Sequence, residues 1–222
     1  MQNLEIVQTK ESVIISLKEK YKVLSSAVAG GGLKTISDFI ILKVDENYDG
    51  KKDKFEAPEI TLKKFAYSKG IRKNFIGMMT SAKMESFREV EIENQSVKVS
   101  LFLTAGVSNA KRAGDKAEYT NINELKYEAG TINIICLINL PLTDEALVEA
   151  IMIITEAKSV ALQMLNIKTY DTKTIATGTG TDSIAVGCRI GKNGIRYCGK
   201  HTLLGEIIAK SVIKALLSSL SK

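Results

Sequence analysis

The chain has 222 residues, of which 45% are hydrophobic and 25% are charged, a composition typical of a globular protein with one sizeable core. The apolar run from Ile132 to Leu140 is far too short to span a bilayer, and Met1–Lys10 lacks the apolar region of a signal peptide. The net charge of +6 comes from lysines mixed with glutamates, and there is no tryptophan to stack on bases. We therefore expect a cytoplasmic protein with neither nucleic-acid nor membrane partners.

The cysteines and the single histidine give no pattern of a metal site. Cys136, Cys188 and Cys198 are odd in number and lack the C-x-x-C spacing of many zinc sites. With only His201 beside them, the sequence has no familiar set of metal ligands. We expect reduced thiols and no metal site, and the sequence leaves a metal requirement open.

The first half of the chain is predicted to consist mainly of β-strands. Short β-prone runs occupy Ser12–Leu17, Tyr21–Val28, Asp38–Val44, Asn74–Thr80, Phe87–Ile92 and Val97–Thr104. The last two runs flank Asn94-Gln95-Ser96, a sequence typical of a hairpin turn. A helix is predicted over Pro58–Lys69, because proline suits the first turn of a helix and Gly70 suits its end.

The second half is predicted to contain two longer helices. The apolar run Thr131–Leu140 is typical of a strand covered on both faces. The other predicted elements are a helix over Thr143–Leu165, a strand over Thr174–Thr177, a hairpin of Ser183–Ile190 with Ile195–Cys198, and a helix over Thr202–Ser219. We expect one α+β domain over residues 1–222, with α/β layering, a mixed sheet, β-hairpins and three to four packed helices.

The densest set of polar groups lies in Thr177–Ser183, here called the Gly/Thr loop, whose glycines let the backbone bend where a side chain would clash. The loop offers hydroxyls and a carboxylate from Thr179, Thr181, Asp182 and Ser183. His201 follows at the predicted start of the last helix and can exchange protons near neutral pH. A plain turn between strands and a histidine that only caps a helix explain the same residues equally well.

Two residues of the predicted helix over Thr143–Leu165 differ in their surroundings. At 100° per residue, Lys158 lies on the apolar side, where a lysine costs desolvation unless its amine reaches water or meets a partner. If Lys158 is buried near a carboxylate or a bound carbonyl, it could donate a hydrogen bond to a developing oxyanion. Glu156 falls on the polar side, which is most simply a solvated face.

Two further glycine-bearing segments follow predicted strands. Residues 25–33 contain Ser25, Ser26, Gly31 and Gly32 and could expose several N–H groups to an anion. Residues 104–114 place Asn109 and Arg112 in a loop. Because sites usually form in loops at strand ends, these segments and the Gly/Thr loop could line a cleft wide enough for a bulky ligand.

Six segments occur in a characteristic order along the chain. They are Leu24–Val28 with the glycines that follow, Thr104–Gly114 (TAGVSNAKRAG), Gly130–Ile134, Thr155–Lys158 with Ala161–Gln163, Ala176–Ser183 (ATGTGTDS), and His201–Thr202 with Leu204–Glu206. In this order they resemble the adenosylcobinamide amidohydrolase family, and the similarity runs from about Tyr21 to Ile208. Lys200 departs from the pattern, since a small residue is expected before His-Thr.

The resemblance implies hydrolysis of the amide that joins aminopropanol to the corrin ring of adenosylcobinamide. The product would be adenosylcobyric acid for cobalamin salvage, so the corrinoid would be a substrate rather than a cofactor. The candidate catalytic residues are His201, Asp182, Glu156, Lys158 and Ser183. The candidate substrate-binding residues are Ser25, Ser26, Gly31, Gly32, Asn109, Arg112, Thr179 and Thr181.

The sequence leaves several alternatives open. The nucleophile could be water activated by a carboxylate or imidazole, or it could be the hydroxyl of Ser183 or a loop threonine. A non-catalytic protein that binds a corrinoid or a nucleotide is the alternative function. The sequence does not determine the oligomeric state, and both a monomer and a homo-oligomer are compatible with it.

Overall fold

The computed structural model describes residues 4–44, 56–117 and 131–221. The strands in these ranges are β1 Leu4–Gln8, β2 Ser12–Ser25, β3 Gly32–Lys43, β4 Phe75–Thr80, β5 Arg88–Asn94, β6 Val97–Ala105, β7 Ala110–Lys111, β8 Ile132–Ile138, β9 Gly178–Thr179 and β10 Ser183–Arg189. The helices are α1 Pro58–Ser68, α2 Asp144–Met164 and α3 Leu203–Leu220, with a short 3-10 helix at Met84–Ser86.

Eight of the strands form one mixed sheet. Its order is β4-β3-β2-β10-β8-β6-β5, and β1 pairs with the first half of β2. The β3/β4 and β8/β10 pairs are parallel, whereas the other pairs are antiparallel. β7 and β9 form a separate two-stranded ladder. The predicted α+β fold with a mixed sheet is confirmed.

The two faces of the sheet pack against different partners. Because side chains alternate along a strand, Leu101 and Ile134 point into the core beneath α2 and α3, whereas Phe102 and Ile135 point to the opposite face. Phe102 and Ile135 share their core with Phe39 of β3 and other residues of β2–β4. β3 and β4 are distant from β6 and β8 in the sheet order, so the sheet curls until β4 lies near β8. α1 covers the outer side of β3 and β4.

The three helices begin and end within about one residue of the predicted bounds. Thr143 caps α2 by accepting a hydrogen bond from the Ala146 amide at 3.3 Å, and Thr202 caps α3 by accepting one from the Gly205 amide at 3.0 Å. The described residues include no helix that is long and apolar enough to cross a membrane.

Two predictions for the second half were wrong. Ser183–Ile190 does not form a hairpin with Ile195–Cys198, because β10 lies inside the sheet between β2 and β8. The buried, apolar character of β10 on both faces suits that central position better than a hairpin edge. Thr174–Thr177 is not a strand either, since the regular pairing of this segment begins one residue later, at β9.

Predictions for the N-terminal part also need correction. The predicted strands Ser12–Leu17 and Tyr21–Val28 correspond to a single long strand, β2, which ends three residues earlier, at Ser25. Its pairing with β3 shifts register between Ser16 and Tyr21. Gly32, expected in a loop, is the first residue of β3. β1 was not predicted, because its five residues carry only a short apolar alternation.

Candidate active site

Lys158 and Asp182 form an ion pair between α2 and the Gly/Thr loop. Their side chains are 8% and 11% exposed. A buried charge is tolerated when it is paired and hydrogen-bonded, which explains how a lysine can lie on the apolar side of α2. Of the cases that the sequence left open for Lys158, the structure shows burial beside a carboxylate.

The carboxylate of Asp182 accepts hydrogen bonds from four donors. Oδ1 accepts from the Ile132 amide at 3.1 Å and the Thr179 hydroxyl at 2.5 Å. Oδ2 accepts from the Thr179 amide at 3.0 Å and from Lys158. An ionised carboxylate has about four acceptor sites, so these donors saturate it. Asp182 therefore ties the Gly/Thr loop to the start of β8 and to α2.

Gly178 leaves the space that the ion pair occupies. A Cβ added to Gly178 would overlap the Asp182 carboxylate and would lie 2.8 Å from Lys158 Nζ. The next glycine of the loop, Gly180, differs, because a Cβ there would meet only Asn109 Nδ2 at 3.6 Å. The ion pair therefore needs a glycine at position 178, whereas it does not need one at position 180.

Three polar residues lie side by side on the opposite face of the sheet. Thr104, Asn133 and Ser183 are paired in register across the adjacent strands β6, β8 and β10, and we call them the polar row. Thr104 and Asn133 are fully buried, and Ser183 is 8% exposed. Asn133 Nδ2 donates to the Met79 carbonyl of β4 at 2.9 Å. The row therefore lies where β4 curls toward β8.

The polar row is unusual because its hydrogen-bonding capacity is incompletely used. In the described ranges, Thr104 Oγ1, Asn133 Oδ1 and Ser183 Oγ are buried without a hydrogen-bond partner. The two other such atoms belong to the side-chain amide of Asn109, in the loop that follows β6. Buried polar groups are normally satisfied, so this concentration at one end of the sheet needs an explanation.

The turn between β2 and β3 is attached to the start of β10. Ser25 Oγ donates to the Ile184 carbonyl at 2.9 Å, and Ser26 Oγ accepts from the Ile184 amide at 3.1 Å. A Cβ at Gly31 would lie 2.5 Å from the Ala27 carbonyl oxygen, whereas one at Gly32 would meet nothing within 4 Å. The structure thus brings these predicted binding residues next to the polar row, although Ser25 already uses its hydroxyl within the turn.

The loop after β6 lies against the Gly/Thr loop. β7 pairs with β9, and Arg112 extends this contact by donating from its guanidinium to the Ile175 carbonyl at 3.0 Å. The hydroxyls of Thr131 and Thr181 are 2.7 Å apart. Thr181 and Arg112 are exposed, and Thr179 is half-buried. The structure therefore brings the predicted binding residues of both loops to one end of the sheet.

Glu156 and His201 lie outside this buried network. Glu156 pairs with Lys200 at 2.5 Å, and their side chains are 50% and 73% exposed. The segment before α3 runs beside α2 in the same direction. Glu149 accepts from the Cys198 amide at 2.5 Å, and further along both segments Glu156 contacts Lys200. The exposed His201 follows Lys200 directly, just before the start of α3.

The thiols are poorly suited to nucleophilic chemistry. Burial raises the pKa of Cys136 and of Cys188, and burial together with the nearby Glu149 charge raises the pKa of Cys198 to about 12. All three thiols are therefore protonated at neutral pH. The described part of the chain holds no group of three or more His, Cys, Asp or Glu residues arranged to bind a metal ion.

The list of candidates drawn from the sequence omitted Thr104 and Asn133. Each lies in one of the six segments that carry the family resemblance, but neither spacing nor composition marks it as a functional residue among its neighbours. Asn133 does give one local signal, since it interrupts an otherwise apolar central strand. The alignment of three strands that places both residues beside Ser183 could not be read from the sequence.

The chain is similar to known proteins over its whole length. The sequence profile of the adenosylcobinamide amidohydrolase family matches residues 1–222. A Methanosarcina mazei protein named adenosylcobinamide amidohydrolase is 31% identical over 173 residues, covering 74% of this chain and 75% of the relative. Uncharacterized protein MJ1613 of Methanocaldococcus jannaschii is 36% identical over 233 residues, covering 98% of this chain and 88% of the relative.

Among solved structures, the crystal structure of the PH0078 protein from Pyrococcus horikoshii OT3 matches with a TM-score of 0.44 and 13% identity. The match covers 98% of this chain and 82% of that one. The profile match extends over the full length and includes the Gly/Thr loop, the polar row and His201. The chain belongs to the adenosylcobinamide amidohydrolase family.

Proposed function

We propose that this protein hydrolyses the amide between aminopropanol and the corrin ring of adenosylcobinamide. Water adds across the carbon–nitrogen bond, so the carbonyl carbon becomes the carboxylate of adenosylcobyric acid and the nitrogen leaves as protonated aminopropanol. The observation that carries the proposal is the full-length family match. The reaction would serve corrinoid salvage in the cytoplasm, with the corrinoid as substrate and without a resident cofactor.

The arrangement of loops supports a large ligand. The turn between β2 and β3, the loop after β6 and the Gly/Thr loop all border the end of the sheet where β10 begins. They present hydroxyl, amide and guanidinium groups from separate segments of the chain. Such a broad polar edge suits a corrinoid better than a small metabolite.

Ser183 is the candidate nucleophile or water-binding group. Its hydroxyl is buried and has no hydrogen-bond partner among the described residues, whereas the carboxylate of Asp182 is saturated. If Ser183 attacks, its oxygen forms an ester with the corrinoid carbonyl carbon and the carbon–nitrogen bond breaks. The hydroxyl proton passes by way of His201 to the leaving aminopropanol nitrogen, and water then hydrolyses the ester and restores the Ser183 hydroxyl. If water attacks directly, Ser183 holds that water. The Lys158–Asp182 pair positions the loop in both routes.

His201 is the candidate proton donor to the leaving amine. It is exposed and follows Lys200, which pairs with Glu156 two residues before Lys158 on α2. An imidazole is the side chain best suited to proton transfer near neutral pH. Glu156 does not contact the reacting groups in this arrangement and holds Lys200, the residue before His201. We assign Glu156 a positioning role.

A time course of aminopropanol release from adenosylcobinamide tests the proposal. The expected result is release in proportion to protein concentration, with none from heat-denatured protein. The alternative, a non-catalytic corrinoid-binding protein, predicts binding without release. Intact-protein mass spectrometry during turnover distinguishes the two chemical routes, because only attack by Ser183 adds the corrinoid acyl mass to the chain.

A further inference from the structure

The unsatisfied polar groups of the described chain are concentrated at one place. All five buried side-chain atoms without a hydrogen-bond partner come from Asn109 and the polar row, at the end of the sheet where β10 begins. Desolvating such groups without a partner is unfavourable, so a fold that needed only stability would carry apolar side chains there. Sites that await a ligand are where this cost is expected.

The geometry points to a carboxamide of the substrate as the missing partner. We propose that Asn133 Oδ1 accepts from the amide N–H, while the Thr104 hydroxyl donates to its carbonyl oxygen. The Ser183 hydroxyl donates to the same oxygen when water is the nucleophile, and it attacks the carbonyl carbon when Ser183 is the nucleophile. Adjacent strands are about 4.8 Å apart, so the backbones of Thr104 and Ser183 are about 10 Å apart with Asn133 midway between them. The two hydroxyls reach one small group only when both turn toward Asn133. Ser183, the first residue of β10, lies at the accessible end of the row.

The donors and acceptors of the polar row match those of a neutral amide. The row contains one acceptor and two hydroxyls that can donate, which matches the donor and acceptor of an amide. It contains no cation to hold a carboxylate and no carboxylate to hold an amine. The nearest charged pair, Lys158–Asp182, belongs to the helix-covered side of the sheet and is satisfied there.

The inference rests on the proposed function, and two sources of the carboxamide fit it. One is the scissile amide, and the other is a further carboxamide of the same corrinoid. Binding of adenosylcobyric acid distinguishes the two sources, because this product has lost the aminopropanol amide and keeps the rest of the corrinoid. In both cases the row contacts the substrate directly.

Two variants that remove single hydroxyls test the row. Thr104→Val and Ser183→Ala preserve most of the side-chain volume and break no hydrogen bond of the described structure. Ser211→Ala is the matched control, because the Ser211 hydroxyl is fully buried but donates to the Ile207 carbonyl at 2.8 Å. The measurements are kcat/KM for adenosylcobinamide, Kd for adenosylcobyric acid by equilibrium dialysis, and the melting temperature.

Each row variant is expected to lower kcat/KM at least three- to tenfold, the size expected for one lost hydrogen bond. The melting temperature should stay equal or rise by about 2–4 °C, because an unpaired buried hydroxyl is removed. If the row holds the scissile amide, Kd for adenosylcobyric acid is unchanged. If it holds another carboxamide, that Kd rises by the same factor. Ser211→Ala should lower the melting temperature and leave kcat/KM unchanged.

The proposal is overturned if kcat/KM and the product Kd of Thr104→Val stay within twofold of the wild type, because a loss in Ser183→Ala alone is also expected of a nucleophile. The Thr104 hydroxyl would then serve the fold alone. This result differs from failure of the proposed function. If wild-type protein binds adenosylcobinamide without cleaving it, hydrolysis is refuted, and the row is tested by dialysis with the uncleaved corrinoid, for which the same three- to tenfold weakening is expected.

Discussion

Asp182 and Lys158 meet where the Gly/Thr loop passes beneath α2, and their ion pair is largely buried. Three further donors from the Gly/Thr loop and β8 saturate the carboxylate. The pair therefore joins three segments that are distant in the sequence. Because Ser183 follows Asp182 directly, the position of the pair also sets where the polar row begins.

Breaking the buried pair is expected to be costly. Asp182→Asn leaves the Lys158 ammonium buried without its counter-charge, so we expect a loss of about 3–5 kcal/mol in the free energy of unfolding. Glu156→Gln is the control, since it breaks an exposed pair with Lys200 and should cost less than about 1 kcal/mol. Urea denaturation measures both. Equal small losses in the two variants would contradict the structural role of Asp182.

The loop glycines should respond differently to the same substitution. Gly178→Ala places a methyl group against the Lys158–Asp182 pair and should cost about 1–3 kcal/mol, with a parallel loss of turnover. Gly180→Ala places its methyl group at an ordinary contact distance and should change stability by less than about 0.5 kcal/mol. Thermal unfolding and steady-state kinetics provide the comparison. A tolerated Gly178→Ala would show that the pair can move away at little cost.

His201→Ala is expected to reduce kcat about 10²- to 10⁴-fold, the range typical for loss of a general acid. Its stability should be nearly unchanged, because the side chain is exposed. Added imidazole should restore part of the activity. Lys210→Ala, which removes an exposed charge from the same end of the chain, should retain wild-type kcat. Turnover of His201→Ala close to that of the wild type would remove His201 from the mechanism.

The cysteines should be unreactive in the folded protein. Burial raises the pKa of all three thiols, that of Cys198 to about 12, so almost no thiolate forms at pH 8. We expect reaction with a disulfide reagent such as DTNB to be slow in native conditions and to modify three thiols after denaturation. Rapid native modification that abolishes turnover would instead point to an accessible thiol near the site.

Local patterns were sufficient to predict the helices. The bounds of α1, α2 and α3 follow from Pro58, the capping threonines and the apolar stripes, all of which depend on residues close in sequence. The same reasoning placed Lys158 on the apolar side of α2, where a lysine needs either access to water or a partner. These predictions succeed because each depends on one turn of helix and its neighbours.

Long-range pairing could not be predicted in this way. The four residues Gly191–Gly194 resemble a hairpin turn, yet β10 pairs with strands far away in the sequence, β2 and β8. The polar row depends on the same registers, because Ser183 meets Asn133 only through the β8/β10 pairing. A pattern within one strand reports which face is apolar, but it does not report which strand lies beside it.

The most direct test of hydrolysis is the conversion of adenosylcobinamide by purified protein in water enriched with oxygen-18. Mass spectrometry of the corrinoid is combined with quantification of aminopropanol. Hydrolysis predicts adenosylcobyric acid carrying one oxygen-18 atom in its new carboxylate, with an equal amount of free aminopropanol. Unchanged adenosylcobinamide, recovered from folded protein that binds it, would contradict hydrolysis and favour a corrinoid-binding protein.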